Sequence, residues 1–146
     1  MAHRAVFAAQ HLSILEPGAG NGLLTASIIK YCIENELCNS FDVKFVENDA
    51  DVIELLESTI SVIMNYVNDN SGNINISLLT DNYITTDMDG KYDIVICNPP
   101  YKKIRKDSKE SNSMNKYVYG QPNLYGLFIT HADEKTHGFN RGDDSP

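Results

Sequence analysis

Four places in the chain carry residue types whose spacing could do chemistry. The first is Glu16-Pro17-Gly18-Ala19-Gly20-Asn21-Gly22, three glycines at alternate positions behind a carboxylate. Such glycines let the backbone turn sharply and approach a ligand without interference from a Cβ. The spacing differs from the Gly-x-Gly-x-x-Gly of dinucleotide sites and lacks the Lys-Ser/Thr pair of a phosphate-binding loop. Glu16 would repel a pyrophosphate and suits an amino acid's ammonium group. A structural turn is the alternative for the glycines alone. The second is Glu47, which can accept both hydrogen bonds of a ribose diol; a solvated strand end is its alternative. The third is Asp81, placed to accept from an exocyclic amine, or else a turn or cap residue. The fourth, Asn98-Pro99-Pro100-Tyr101, is the most specific. The Asn98 side-chain oxygen and the Pro99 carbonyl are two fixed acceptors that can grip both hydrogens of a planar amino group. Tyr101 offers a face on which a flat ring can stack.

Each of these places follows a short apolar run, so the elements must be strands that end there. Residues 12–16 are an apolar run stopped by Pro17 and Gly18, as in a buried strand of a parallel sheet. A helix is expected over 23–37, with Leu24, Ile28, Tyr31 and Ile33 on its apolar side. Phe41 to Glu47 is a second strand. Asp49 or Asp51 can cap a long helix to about Val67, whose stripe is Val52, Leu56, Ile60, Ile63 and Val67. Ile74 to Leu79 makes a third strand and Tyr92 to Cys97 a fourth, ended by two prolines. Residues 102–120 are polar and without period, a long loop. Pro122 to Ile129 can start a helix. This order predicts an α/β fold, an open and mostly parallel sheet with helices on its faces. Ligands in such sheets bind beyond the carboxyl ends of the strands, where all four candidate places lie.

The 146 residues make one domain, and 42% hydrophobic with 22% charged content excludes collagen-like, disordered and disulfide-framework classes. No run approaches the roughly 20 apolar residues that cross a bilayer, so no membrane partner is expected. The net charge of −8 argues against coating nucleic acid through bulk positive charge. Yet six basic residues (Lys102, Lys103, Arg105, Lys106, Lys109 and Lys116) gather in 102–120, a local anion contact or a solvated loop. Cys32, Cys38 and Cys97 lack paired metal-site spacing and read as reduced thiols of a cytoplasmic protein, with Cys97 buried in its strand.

Taken in order, these segments resemble the catalytic core of S-adenosylmethionine-dependent amino-group methyltransferases. Among these the likeness is to the N6-adenine DNA methyltransferases of bacterial restriction–modification systems. "ILEPGAGNGLLTASI" is similar to their cofactor loop and "DIVICNPPYKKI" to their catalytic motif. "YGQPNLYGLF" resembles the segment that follows in the large fused methylase and restriction–methylase enzymes. The resemblance covers residues 12–129. It implies a Rossmann-like class I methyltransferase fold with helices on both faces, incomplete at about four of seven strands. A partial domain would cover 1–135 and a frayed tail 136–146.

The resemblance further implies S-adenosyl-L-methionine as cofactor, no metal, and methyl transfer to the N6 amino group of adenine in DNA. Glu16, Pro17, Gly18, Ala19, Gly20, Asn21 and Gly22 would face the cofactor's methionine part. Glu47, with Asn48, would hold the ribose, and Asp81, with Asn82 or Tyr83, would meet the adenine. Asn98 and the carbonyl of Pro99, stiffened by Pro100, would hold the target amine beside the cofactor, and Tyr101 would stack on the base. Acceptors on both amine hydrogens favour a pyramidal nitrogen whose lone pair points at the methyl. The implied partner is double-stranded DNA with the adenine flipped out of the stack.

The expected fifth strand does not follow Ile129, the helix ahead of the cofactor loop is at best residues 1–11, and no recognition domain is recognised. The expectation is therefore a fragment, weak or inactive alone. If strand order follows the family, the fourth strand lies on an edge and invites self-association. Two other classes stay open: a protein glutamine N5-methyltransferase of release-factor type, which shares Asn-Pro-Pro-Tyr, and a non-catalytic scaffold.

Overall fold

Strand β1 (Leu12–Pro17) is apolar on both sides because both sides are covered: Ile14 and Leu15, which point to opposite faces, are each fully buried. Around it the computed structural model, which describes residues 11–86 and 90–98 together with Lys109 and Lys135, builds a four-stranded parallel sheet. The other elements are α1 (Leu23–Glu34), β2 (Ser40–Val46), α2 (Ala50–Asp69), β3 (Asn73–Leu79) and β4 (Ile94–Val95). The sheet order is β3-β2-β1-β4, and every neighbouring pair is parallel. Among the described residues β4 therefore stands at an edge, as the resemblance implied. None of the described helices is long and apolar enough to cross a membrane.

The chain steps from β1 to β2 to β3 in one direction. Right-handed crossovers then put α1 and α2 on the same face. One core follows: Ile29, Cys32 and Ile33 of α1 and Leu56, Ile63 and Val67 of α2 pack over Ile14, Phe41, Val43, Phe45 and Ile74 of the strands. The α2 stripe is the one its spacing predicts, and Asp49 is its cap, accepting from the Asp51 N–H at 3.0 Å. Truncating Leu56 in such a core costs about 2–5 kcal/mol.

Three expectations need correction. In α1 the buried face is Thr25, Ile29, Cys32 and Ile33, whereas Leu24 is 37% and Tyr31 61% exposed. The first turn sets that phase, because Thr25 faces a carboxylate of β1. The helix also stops at Glu34, not residue 37: Glu36 takes a left-handed φ of 55°, and the Leu37 N–H returns to the Cys32 carbonyl at 2.8 Å. The fourth strand is short, Ile94–Val95, and Cys97 lies past it and is only half-buried. At its start Asp93 replaces the ladder: its carboxylate accepts from the Ser13 N–H and hydroxyl, both at 2.8 Å, while the Asp93 N–H donates to Ser13 Oγ at 2.9 Å.

The expected turn at Asp89 and Gly90 lies partly outside the described residues, as do the expected loop over 102–120 apart from Lys109, the expected helix start at 122–129 and the tail at 136–146. Lys109 and Lys135 each have helical backbone, and the Lys135 carbonyl accepts from the Tyr92 N–H at 2.8 Å.

Candidate functional site

After β3 the chain returns across β2 and β1 to lay β4 on the other side of β1. Strand order therefore reverses between β1 and β4, and the crevice beyond their carboxyl ends is where ligands of such sheets bind. The glycine loop leaves the end of β1 there, and Asn98 leaves the end of β4. Pairing continues that far, since the Ile96 N–H donates to the Leu15 carbonyl at 3.0 Å.

Glu16 is 1% exposed. The first turn of α1 has no side-chain cap, because its cap residue is Gly22. Glu16 supplies the missing acceptor from β1: its Oε2 takes the Thr25 N–H at 3.1 Å. Burial pushes the Glu16 carboxyl above its ordinary value, and the Thr25 contacts oppose this only in part. The Thr25 hydroxyl lies close enough to act electrostatically on that carboxylate, yet Oγ1 is buried and meets no partner at hydrogen-bond geometry. A buried donor left so costs about 1–3 kcal/mol. Just past β4, Cys97 lies near the same carboxylate. Burial first, and the Glu16 charge second, push its thiol up.

The loop itself is held by Glu47, which is also buried at 8% exposure. Its Oε2 accepts from the Gly20 N–H at 2.8 Å, and its Oε1 from the Asn48 and Asp49 N–H groups at 2.9 Å each. The Ala19 N–H donates to the Val46 carbonyl at 3.0 Å, so the loop lies along the end of β2 as well. Gly18, Gly20 and Gly22 all have left-handed φ, between 56° and 74°. At Gly22 a Cβ would come within 2.8 Å of Leu56 Cδ1, whereas at Gly20 it would meet nothing within 4 Å. Gly22 is thus fixed by packing. Gly20 borders open space.

Pro17 closes β1, and the Asn21 side chain accepts from the Leu23 N–H at 3.2 Å. Asp81 is exposed past β3, on the far edge strand. Asn82 folds the chain that follows: its Oδ1 accepts from the Ile84 N–H at 3.0 Å and its carbonyl from Thr85 and Thr86. Tyr83 and Ile84 are buried there. Asn98 is exposed. Pro99, Pro100 and Tyr101 lie outside the described residues. The structure thus brings Glu16, the glycine loop, Glu47 and the end of β4 together. Sequence reasoning missed Thr25 and the nearness of Cys97. Thr25 was discoverable as a polar residue in phase with Ile29, Cys32 and Ile33 on an otherwise apolar helix face.

Comparison with known proteins adds to this geometry. The model of the Eco57I restriction-modification methylase family matches residues 20–138. The Type II methyltransferase M.BsuBI of Bacillus subtilis is 28% identical over 124 residues, covering 80% of this chain and 25% of that protein. The Type II methyltransferase M.AccI of Acinetobacter calcoaceticus is 31% identical over 124 residues, covering 80% of this chain and 20% of that protein. The chain therefore spans a quarter or less of the length of these relatives. In structure it is similar to a protein of Listeria monocytogenes described as a class I S-adenosylmethionine-dependent methyltransferase, with a TM-score of 0.64 and 17% identity over 90% of this chain and 38% of that one. That likeness is one of fold.

Proposed function

Because the chain belongs to the Eco57I restriction-modification methylase family, we propose that it forms the core of an enzyme that transfers a methyl group from S-adenosyl-L-methionine to the N6 amino group of adenine in DNA. The observation that carries this reading is a buried Glu16 and an open glycine loop at the carboxyl end of β1, where strand order reverses and the neighbouring β4 leads to Asn98. The residues fit that cofactor. An under-bonded buried carboxylate suits an ammonium group, and the open side of Gly20 leaves room for a ligand against the backbone. When bound, the cofactor supplies an electrophilic methyl on a cationic sulfur. Glu16 binds the amino group of its methionine part. Glu47 uses three of about four lone-pair positions on backbone amides, so it accepts from a ribose hydroxyl without releasing the loop, with Asn48 beside it. Asp81 and Asn82 border the adenine.

Asn98 and the Pro99 carbonyl orient the target amine, Pro100 stiffens the turn and Tyr101 stacks on the base. Aligning amine and methyl at near-attack distance supplies much of the acceleration. The base must leave the duplex to arrive there, at about a few kcal/mol of lost stacking. Lys102, Lys103, Arg105 and Lys106 follow the motif and suit phosphate contacts.

Labelled methyl transfer from S-adenosylmethionine is the test, offered plasmid DNA and a release factor in parallel, with the product identified by mass spectrometry. N6-methyladenine is the expected product. Label on a glutamine of the release factor overturns the DNA assignment, and no heat on titration with S-adenosylmethionine leaves a scaffold. Light scattering tests pairing of copies through β4; a monomer at every concentration removes it.

A further inference from the structure

The Thr25 hydroxyl is a buried polar group with no role so far. Five serines and threonines lie in the two helices. Ser27, Ser58, Thr59 and Ser61 each donate to the carbonyl four residues back, at 2.8 to 3.2 Å. Thr25 sits in the first turn of α1, where the residue four back is Asn21 in the loop ahead of the helix. It is 0% exposed, and its hydroxyl meets no partner. Its own amide is already bonded to Glu16 Oε2, which sets the side chain beside that carboxylate. A native protein that keeps such a donor, where a valine would fill the same space, has a reason for the hydroxyl.

Resting on the cofactor reading above, the geometry points to Thr25 as a positioning residue whose hydroxyl serves the ionised form of Glu16. As a cationic amino group arrives, it favours the ionised form of Glu16, and any proton held there leaves to solvent. The Thr25 hydroxyl then donates to the carboxylate, joining the amide. Burial raises the Glu16 carboxyl above its ordinary value, and a donor to its charged form works against that shift. Of the other groups nearby, the Cys97 thiol, just past β4, is pushed up by burial and by the Glu16 charge. Glu47, across the loop at the end of β2, is occupied by three backbone amides.

Thr25→Val removes the hydroxyl at nearly constant shape, and Thr25→Ser keeps it. In the full chain without ligand, carbon-13 NMR of the Glu16 carboxyl should show Thr25→Val titrating at higher pH than wild type, with no loss of melting temperature. Calorimetry with S-adenosylmethionine should show binding about tenfold weaker, as for the loss of a bond to a charged group. The pH at which affinity falls away should also move upward. Thr25→Ser should restore both readouts. An unchanged Glu16 titration in Thr25→Val, or a serine that restores neither, overturns the assignment. A wild-type chain that binds no S-adenosylmethionine overturns the cofactor reading and the cation trigger with it, while the ligand-free titration still decides the Thr25–Glu16 contact by itself.

Discussion

Two strands of one sheet each end on a buried glutamate, and the two carboxylates live differently. At the end of β2, Glu47 accepts three backbone amides and is tied into the loop it supports. At the end of β1, Glu16 is deeper, accepts one amide, and has beside it the Thr25 hydroxyl, short of hydrogen-bond geometry. A buried charge held by three amides is a structural clamp. An under-bonded one is a cost to the fold, tolerated where a ligand completes it. The comparison assigns stability mainly to Glu47 and binding mainly to Glu16.

The largest effect expected is on binding. Glu16→Gln keeps the shape but removes the charge, and affinity for S-adenosylmethionine measured by calorimetry should fall about a hundredfold. The same variant should change how stability depends on pH. An acid whose folded pKa is raised stabilises the fold most below its unfolded value, near 4.5, and loses that contribution as pH rises through the raised value. Wild type should therefore lose stability in denaturant titrations as pH rises from about 4.5 to the raised value, and Glu16→Gln should flatten that slope. An unchanged slope breaks the contrast.

Next in size is Glu47→Ala, which leaves three amides without their acceptor. Unfolding in urea should show a loss of about 3 kcal/mol. A loss below that of Glu16→Gln inverts the comparison. The glycines sharpen it within one loop. Gly22→Ala meets both a left-handed φ and Leu56 Cδ1 at 2.8 Å, and should cost about 2 kcal/mol or more. Gly20→Ala meets only the φ, about 1 kcal/mol, so its larger effect should appear in cofactor affinity.

The smallest effect lies at the opposite rim. There His11 bridges Ser40 Oγ and Asp42 at 3.0 and 2.9 Å, and Asn75 donates to Asp42 at 2.9 Å. The Asn75 bond first, and His11 after it, hold the Asp42 carboxyl below its ordinary value. Asp42 should therefore add a little stability that fades as pH falls through that lowered value. Because the group is exposed, Asp42→Asn should cost well under about 1 kcal/mol in thermal unfolding.

Much of this was legible in the residues. The apolar run of β1, stopped by Pro17 and Gly18, marked a strand buried on both faces, while β2 and β3 showed themselves by alternation, Phe41, Val43 and Phe45 in one and Ile74, Ile76 and Leu78 in the other. The α2 stripe and its Asp49 cap were legible because both depend on neighbours in the chain. The phase of α1 was not: Leu24 and Tyr31 fit an apolar side as well as Ile29 and Cys32 do, and only the contact between Thr25 and Glu16 chooses. The extent of β4 was hidden too, since the Ser13–Asp93 bonds that replace its first ladder pairs span 80 positions of chain.

The sequence by itself determined the kinds of group at each strand end and the order in which they come, since breakers and apolar period act locally. The tertiary structure alone decided how those groups divide the work. Whether a carboxylate becomes a clamp or a waiting partner depends on how many amides converge on it; Asn48 and Asp49 reach Glu47 from the next positions, but Gly20 reaches it across 27 positions and Thr25 reaches Glu16 across nine.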